Sequence, residues 1–179
     1  MPLSLRPACS TDDPFVYQLQ YQTLFEQLYA HTWDPQIRDQ LLNLQIRAKH
    51  SAYADEFPNA HYDIVELNGE PIGRMIIDRS GEFYHVVDIA ILAKHRGAGI
   101  GSRLILGLCM EAETMQKKVR LWVSVTNPRA AALYRRLGFR VIADEQMNLL
   151  MERAPGDHAQ ELAAPSEALG GPLPSVAAQ

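Results

Sequence analysis

The chain has 179 residues, of which 47% are hydrophobic and 21% charged, and its formal net charge is −4. That length suits one domain with a sizeable core, and the composition is ordinary for a soluble globular protein. The mild acidic excess argues against a nucleic-acid footprint, and no apolar run reaches the ~18 residues of a membrane span. Arg6, Asp12 and Asp13 interrupt the first apolar residues, so no signal-peptide core forms. The two cysteines, Cys9 and Cys109, lack metal-ligand spacing and fit a reducing compartment. The histidines are scattered, so no metal is expected. The default is a cytoplasmic protein without nucleic-acid or membrane partners.

Leu3 to Arg6 reads as a short first strand. Asp12 or Asp13 can cap a helix with Pro14 in its first turn, running to about Tyr29. Asp34-Pro35 repeats the signature. Ile37, Leu41, Leu44 and Ala48 share one face of that second helix, with Leu42 and Ile46 beside it, and it ends before Pro58. From Tyr62 the period becomes that of strands. Asn68-Gly69 joins Tyr62–Leu67 to Ile72–Ile77 as a hairpin, and Phe83 to Leu92 forms the long fourth strand.

A glycine-rich turn follows: Arg96-Gly97-Ala98-Gly99-Ile100-Gly101-Ser102. Such a turn at a helix start presents backbone N–H groups and a partial positive charge to a phosphate. The next helix carries Leu104, Ile105, Leu108, Ala112 and Met115 inward. Val119 to Val125 is a strand, and Asn127-Pro128 starts a short helix that Gly138 ends. Phe139–Ile142 and Met147–Met151 pair as a last hairpin. Residues 154–179 are rich in Ala, Pro and Gly and are expected to form a flexible tail outside a 1–153 domain.

Competing phosphate motifs fail. A P-loop needs Gly-Lys-Ser/Thr, but Gly101 is followed directly by Ser102. A dinucleotide fingerprint needs Gly-x-Gly-x-x-Gly, and the third glycine arrives one residue early.

The two segments together resemble the GNAT superfamily of acyl-CoA-dependent N-acyltransferases. Arg96, Gly99 and Gly101 fit that family's pyrophosphate loop. Asn127, Ala130, Leu133, Tyr134, Gly138 and Phe139 fit its second signature at every spacing. The resemblance spans roughly residues 3–153. It implies an α/β (α+β type) fold, with a mixed, mostly antiparallel twisted sheet of about seven strands flanked by helices. It implies acetyl-CoA as co-substrate, bound by Arg96, Gly97, Ala98, Gly99, Ile100, Gly101 and Ser102. The fourth-strand backbone at Ile89, Ala90 and Ile91 would pair with pantetheine, and Asn127 and Tyr134 would also touch the cofactor.

The implied reaction is amine attack on a thioester. A lysine-like amine, pKa ~10.4, costs about 4–5 kcal/mol to neutralise at pH 7, whereas an α-amine near ~7.7–8 costs about 1. The departing thiolate needs a proton or a hydrogen bond. Tyr134 is the expected acid, against a reading as a packing aromatic. His85 and Asp88 are the candidate bases. Simple strand alternation puts them on opposite faces unless a bulge intervenes. Many relatives carry Glu where this chain has Ser124, which puts a carboxylate base from that strand in doubt. Cys109 lies inside the helix after the glycine turn, a poor place for a nucleophile. The acceptor is expected to be a small amine or a peptide amine, including a protein N-terminus or lysine. A non-catalytic acyl-CoA-binding module and a homodimer stay open.

Overall fold

The computed structural model describes residues 2–157. In chain order the elements are β1 (Leu3–Pro7), α1 (Asp13–Gln27), α2 (Pro35–Glu56), β2 (His61–Leu67), β3 (Glu70–Asp78) and β4 (Tyr84–Ile91). They continue with α3 (Ile100–Thr114), β5 (Val119–Ser124), α4 (Pro128–Arg136), β6 (Arg140–Glu145) and β7 (Asn148–Arg153). Local chemistry sets several of these boundaries. Asp34 Oδ1 accepts from the Gln36 amide at 2.9 Å and opens α2 ahead of Pro35. Asn127 Oδ1 does the same for Ala130, at 3.1 Å, at the start of α4. Asn68 and Gly69 adopt φ of +57° and +82°, which a tight hairpin turn requires between β2 and β3.

The seven strands form one sheet in the order β1-β2-β3-β4-β5-β7-β6. Every neighbouring pair is antiparallel except β4 and β5, which run parallel. That parallel pairing covers only Tyr84–Val86 against Val119–Leu121. Beyond Val86 the β5-facing edge of β4 has no ladder partner, so the sheet splays from Val87 onward.

Two apolar layers flank the sheet. On one face Met75, Ile77, Val86 and Ile91 pack in a core with Leu104, Ile105 and Leu108 of α3 and with Ala131 and Tyr134 of α4. A second set, Leu19, Leu42, Ile46, Ile64 and Ile76, is buried outside that core, where α1 and α2 meet the sheet. On α2 the buried residues are Leu42 and Ile46, while Ile37, Leu41 and Leu44 are exposed. Met115 does not point inward as expected. It sits at the C-cap of α3 and is 59% exposed, because the helix has already ended there. Residues 154–157 close a turn in which Asp157 accepts from the Ala154 amide, and the remainder of the expected tail lies outside the described residues. No helix among the described residues is long and apolar enough to cross a membrane.

Candidate active site

The glycine turn sits where β4 hands over to α3, beside the splay. Gly97 and Gly99 hold φ of +81° and +75°, a region that L side chains rarely adopt, and nothing lies within 4 Å of where a Cβ would stand on either. The amides of Gly97, Ala98 and Gly99 make no backbone hydrogen bond among the described residues. The amides of Ile100, Gly101 and Ser102 open α3, where a helix has no internal acceptors to offer. The result is a run of free donors on an open concave turn, a fit for a pyrophosphate. Gly101 faces α4 rather than the preceding strand: a Cβ there would stand 3.8 Å from Leu133 Cδ2, an ordinary contact. The Arg96 guanidinium is occupied elsewhere. Its Nε donates to the Ile91 carbonyl at 2.7 Å, and Nη1 pairs with Glu26 of α1. Arg96 therefore ties the turn to β4 and α1.

Ile89, Ala90 and Ile91 lie on the part of β4 that has lost β5. Their β3-facing edge is paired to Gly73–Met75, which leaves the other edge open for a strand-like arm. Asn127 uses its side-chain oxygen as a helix cap. Ser124 Oγ is 2.8 Å from Thr126 Oγ1 and accepts from the Thr126 amide, so it shapes the turn into α4.

His85 and Asp88 share one face. The β3 register steps from Ile76↔Asp88 to Ile77↔Val86, which leaves Val87 as a bulge in β4. One extra residue reverses the alternation, so both side chains project toward α2. Their surroundings differ. His85 lies where β4 and β5 are still paired, with its ring edge-on to Phe57 at 4.8 Å between centroids. Burial pushes its imidazole below the ordinary value, against the pull of Glu56 and Asp78.

Asp88 is the hub of a buried polar cluster that the sequence reading did not find. Arg74 Nη2 donates to Oδ2 at 2.7 Å, and Lys49 Nζ donates to Oδ1 at 2.9 Å. The Tyr53 hydroxyl donates to Oδ1 at 3.3 Å. With its amide oxygen turned toward the guanidinium, Gln20 accepts from Arg74. Burial pushes the Asp88 carboxyl up, but Lys49 and Arg74 outweigh it and hold it below the ordinary carboxylate value. Asp88 is thus ionised and already engaged. Arg74 is 1% exposed, inside the apolar run Ile72–Ile77. A charge amid such a run is itself a signal, since buried arginines need partners.

Tyr134 is 7% exposed and tilts against Phe139, with ring centroids 5.8 Å apart. Its hydroxyl makes no protein hydrogen bond among the described residues. Burial first, and then the negative charge of Asp88, push it up to about 12. It is a neutral phenol at physiological pH. Cys109 is 1% exposed, and burial raises its thiol above the ordinary value, so it is no nucleophile.

A sheet that opens between its two parallel strands, with a glycine turn and a helix N-terminus at the opening, is the GNAT fold. The model of the acetyltransferase (GNAT) family matches residues 20–139, and the chain belongs to that family. An uncharacterized N-acetyltransferase of Methanocaldococcus jannaschii is 33% identical over 84 residues, 42% of this chain and 37% of that protein. The match thus spans well under half of that relative's length. The PaiA N-acetyltransferase of Thermoplasma acidophilum, solved with coenzyme A, superposes with a TM-score of 0.65 at 13% identity, covering 86% of this chain and 99% of the other. A spermidine N-acetyltransferase of Vibrio cholerae, solved with CoA and spermine, gives 0.60 at 20% identity over 87% and 96%. At these identities the two structures speak for the fold.

The turn gives a direct test. Gly99→Asp places a side chain at positive φ and a negative charge over the free amides. Calorimetry with CoA should show affinity weakened by well over tenfold, about 1.4 kcal/mol or more, while the strain of a side chain at positive φ lowers the melting temperature of the free protein by only a few degrees. Unchanged affinity would move the cofactor elsewhere.

Proposed function

We propose that this protein transfers an acetyl group from acetyl-CoA to a primary amine by direct attack. The observation that carries the reading is the row of free amides at Gly97–Ser102 beside the open edge of β4. The pyrophosphate takes the turn, and the pantetheine adds as a strand along Ile89–Ile91. The thioester then lies at the splay, between Asp88 on the α2 side of β4 and Tyr134 of α4, whose phenol feels the Asp88 charge. The amine nitrogen attacks the thioester carbonyl carbon, and a tetrahedral intermediate collapses by breaking the C–S bond. Tyr134 donates its proton to the departing sulfur, and the amine gives up one proton.

The destination of that proton is His85, through water. Asp88 is unsuited, because two cations hold it in its ionised form. His85 is neutral at pH 7, and its ring nitrogens make no hydrogen bond among the described residues. Asp88 acts as a positioning residue that fixes Lys49, Tyr53 and Arg74. Neighbours named as spermidine acetyltransferases support an amine acceptor in general terms.

Initial rates with both substrates varied test direct attack. Intersecting reciprocal plots are expected, and parallel plots, the mark of an acyl-enzyme, would contradict the reading. The pH profile tests the acid. A phenol pushed up to about 12 keeps its proton through the whole ordinary alkaline range. The kcat profile should therefore stay flat from the neutral amine's plateau to about pH 10–11. A clear alkaline fall between pH 8 and about pH 10 would place the acid elsewhere.

A further inference from the structure

We propose that the acceptor is an amine that also bears a carboxylate, an amino acid in chemical class, and that Lys49 holds that carboxylate. The inference rests on the acyl-transfer reading and deepens it. The groups facing Asp88 come from every element packed around it. Lys49 and Tyr53 come from α2, Arg74 from β3, Gln20 from α1 and Tyr134 from α4.

Two of these groups are cations and one is an anion. Tyr53 stays neutral, because burial, and then Asp88, raise its phenol. The hydrogen-bonded group thus holds two cations, Lys49 and Arg74, against one anion, Asp88. Arg74 is the buried cation and is paired to Asp88, so the surplus charge falls on Lys49 at the partly exposed edge, where an anion can pair with it.

The donors point the same way. Asp88 is the single hydrogen-bond partner of Lys49 Nζ among the described residues, which leaves two N–H donors. The Lys49 side chain is 29% exposed, so it reaches the open side of the cluster. Arg74 Nε is buried without a partner. Across the splay the register sets Trp122 on the same face as Asp88, since His85 pairs with Arg120 two residues earlier. Trp122 is 39% exposed and offers an apolar wall to a side chain.

This arrangement suits an α-amine chemically. Its pKa is already low, near ~7.7–8, and adjacent positive charge lowers it further, so a weak base such as His85 suffices. A polyamine would instead bring further positive charge to a site that already has an excess.

The test uses two products that differ only in the carboxylate: N-acetyl-phenylalanine and N-acetyl-phenethylamine. Each is titrated by calorimetry into the CoA-saturated protein. The acid should bind about tenfold or more tighter, the range for a hydrogen bond to a charged group. Lys49→Met should abolish that difference, and Lys49→Arg should restore most of it. Equal or weaker binding of the acid, or no binding of either, would overturn the proposal. So would a Lys49→Met loss equal for both ligands, which would assign Lys49 to the fold or to the thioester oxygen. The two readings fail separately. Acetylation of amines with no preference for the acid leaves acyl transfer standing and removes this inference. Preferred binding of the acid with no amine acetylated keeps the carboxylate site and removes acyl transfer.

Discussion

Tyr134→Phe should lower acyl transfer by about 10²–10⁴-fold while leaving CoA affinity nearly unchanged. The substitution keeps the ring that packs against Phe139 and removes only the hydroxyl. That hydroxyl has no protein partner among the described residues, so its loss leaves no orphaned donor or acceptor behind. The fold should therefore be intact, and the melting temperature should stay within a few degrees. The phosphate and pantetheine contacts, which carry most of the cofactor binding, are untouched. The loss should appear in kcat, because the hydrogen bond to sulfur forms as the C–S bond breaks. Near-wild-type turnover, with chemistry shown to be rate-limiting, would return Tyr134 to a packing role.

Asp88→Asn should cost about 3–5 kcal/mol of stability, because it strands two cations that share one anion in a buried cluster. For a domain of this size that is a fall in Tm of about 10 °C or more. The sign of the pH dependence follows from the lowered carboxyl. Asp88 contributes stability above its unfolded pKa, near ~3.9, and loses it as the pH drops through its lower folded value. The wild-type Tm should thus fall steeply below about pH 4, and the variant should show a shallower slope there. Adding Lys49→Met should recover part of the loss. A variant that melts within a few degrees of wild type would mean the cluster is better solvated than its burial suggests. Because the stability cost is large, activity data on Asp88→Asn need the folded fraction measured alongside.

Much of the architecture was legible because it is encoded locally. Asn68-Gly69, the Asn127-Pro128 cap and the Asp34-Pro35 cap each act within a few residues, and each appears where its chemistry puts it. The glycine turn was legible for the same reason. What escaped depends on distant partners. The Val87 bulge, which the sequence left open, comes from the pairing of β4 with β3, and no run of residues in β4 decides it. It is what brings His85 and Asp88 to one face. On α2 two apolar stripes interleave, and only packing selects Leu42 and Ile46 over Ile37, Leu41 and Leu44. The selected side also carries Lys49 and Tyr53, the residues that meet Asp88. Arg74 was readable as a charge in an apolar strand, but its partner lies fourteen residues on in another strand. Arg96 matched its motif, yet its side chain serves Ile91 and Glu26.

The most direct test of the account is transfer itself. The protein is incubated with acetyl-CoA carrying a deuterated acetyl group and a panel of amines and amino acids. Free CoA thiol and labelled amide are then measured together by mass spectrometry. The account predicts acceptor-dependent thiol release matched one for one by labelled N-acetyl product, and loss of both in Tyr134→Phe. Tight acetyl-CoA binding with no acceptor-dependent release across the panel would contradict it, and would make the protein an acyl-CoA-binding module.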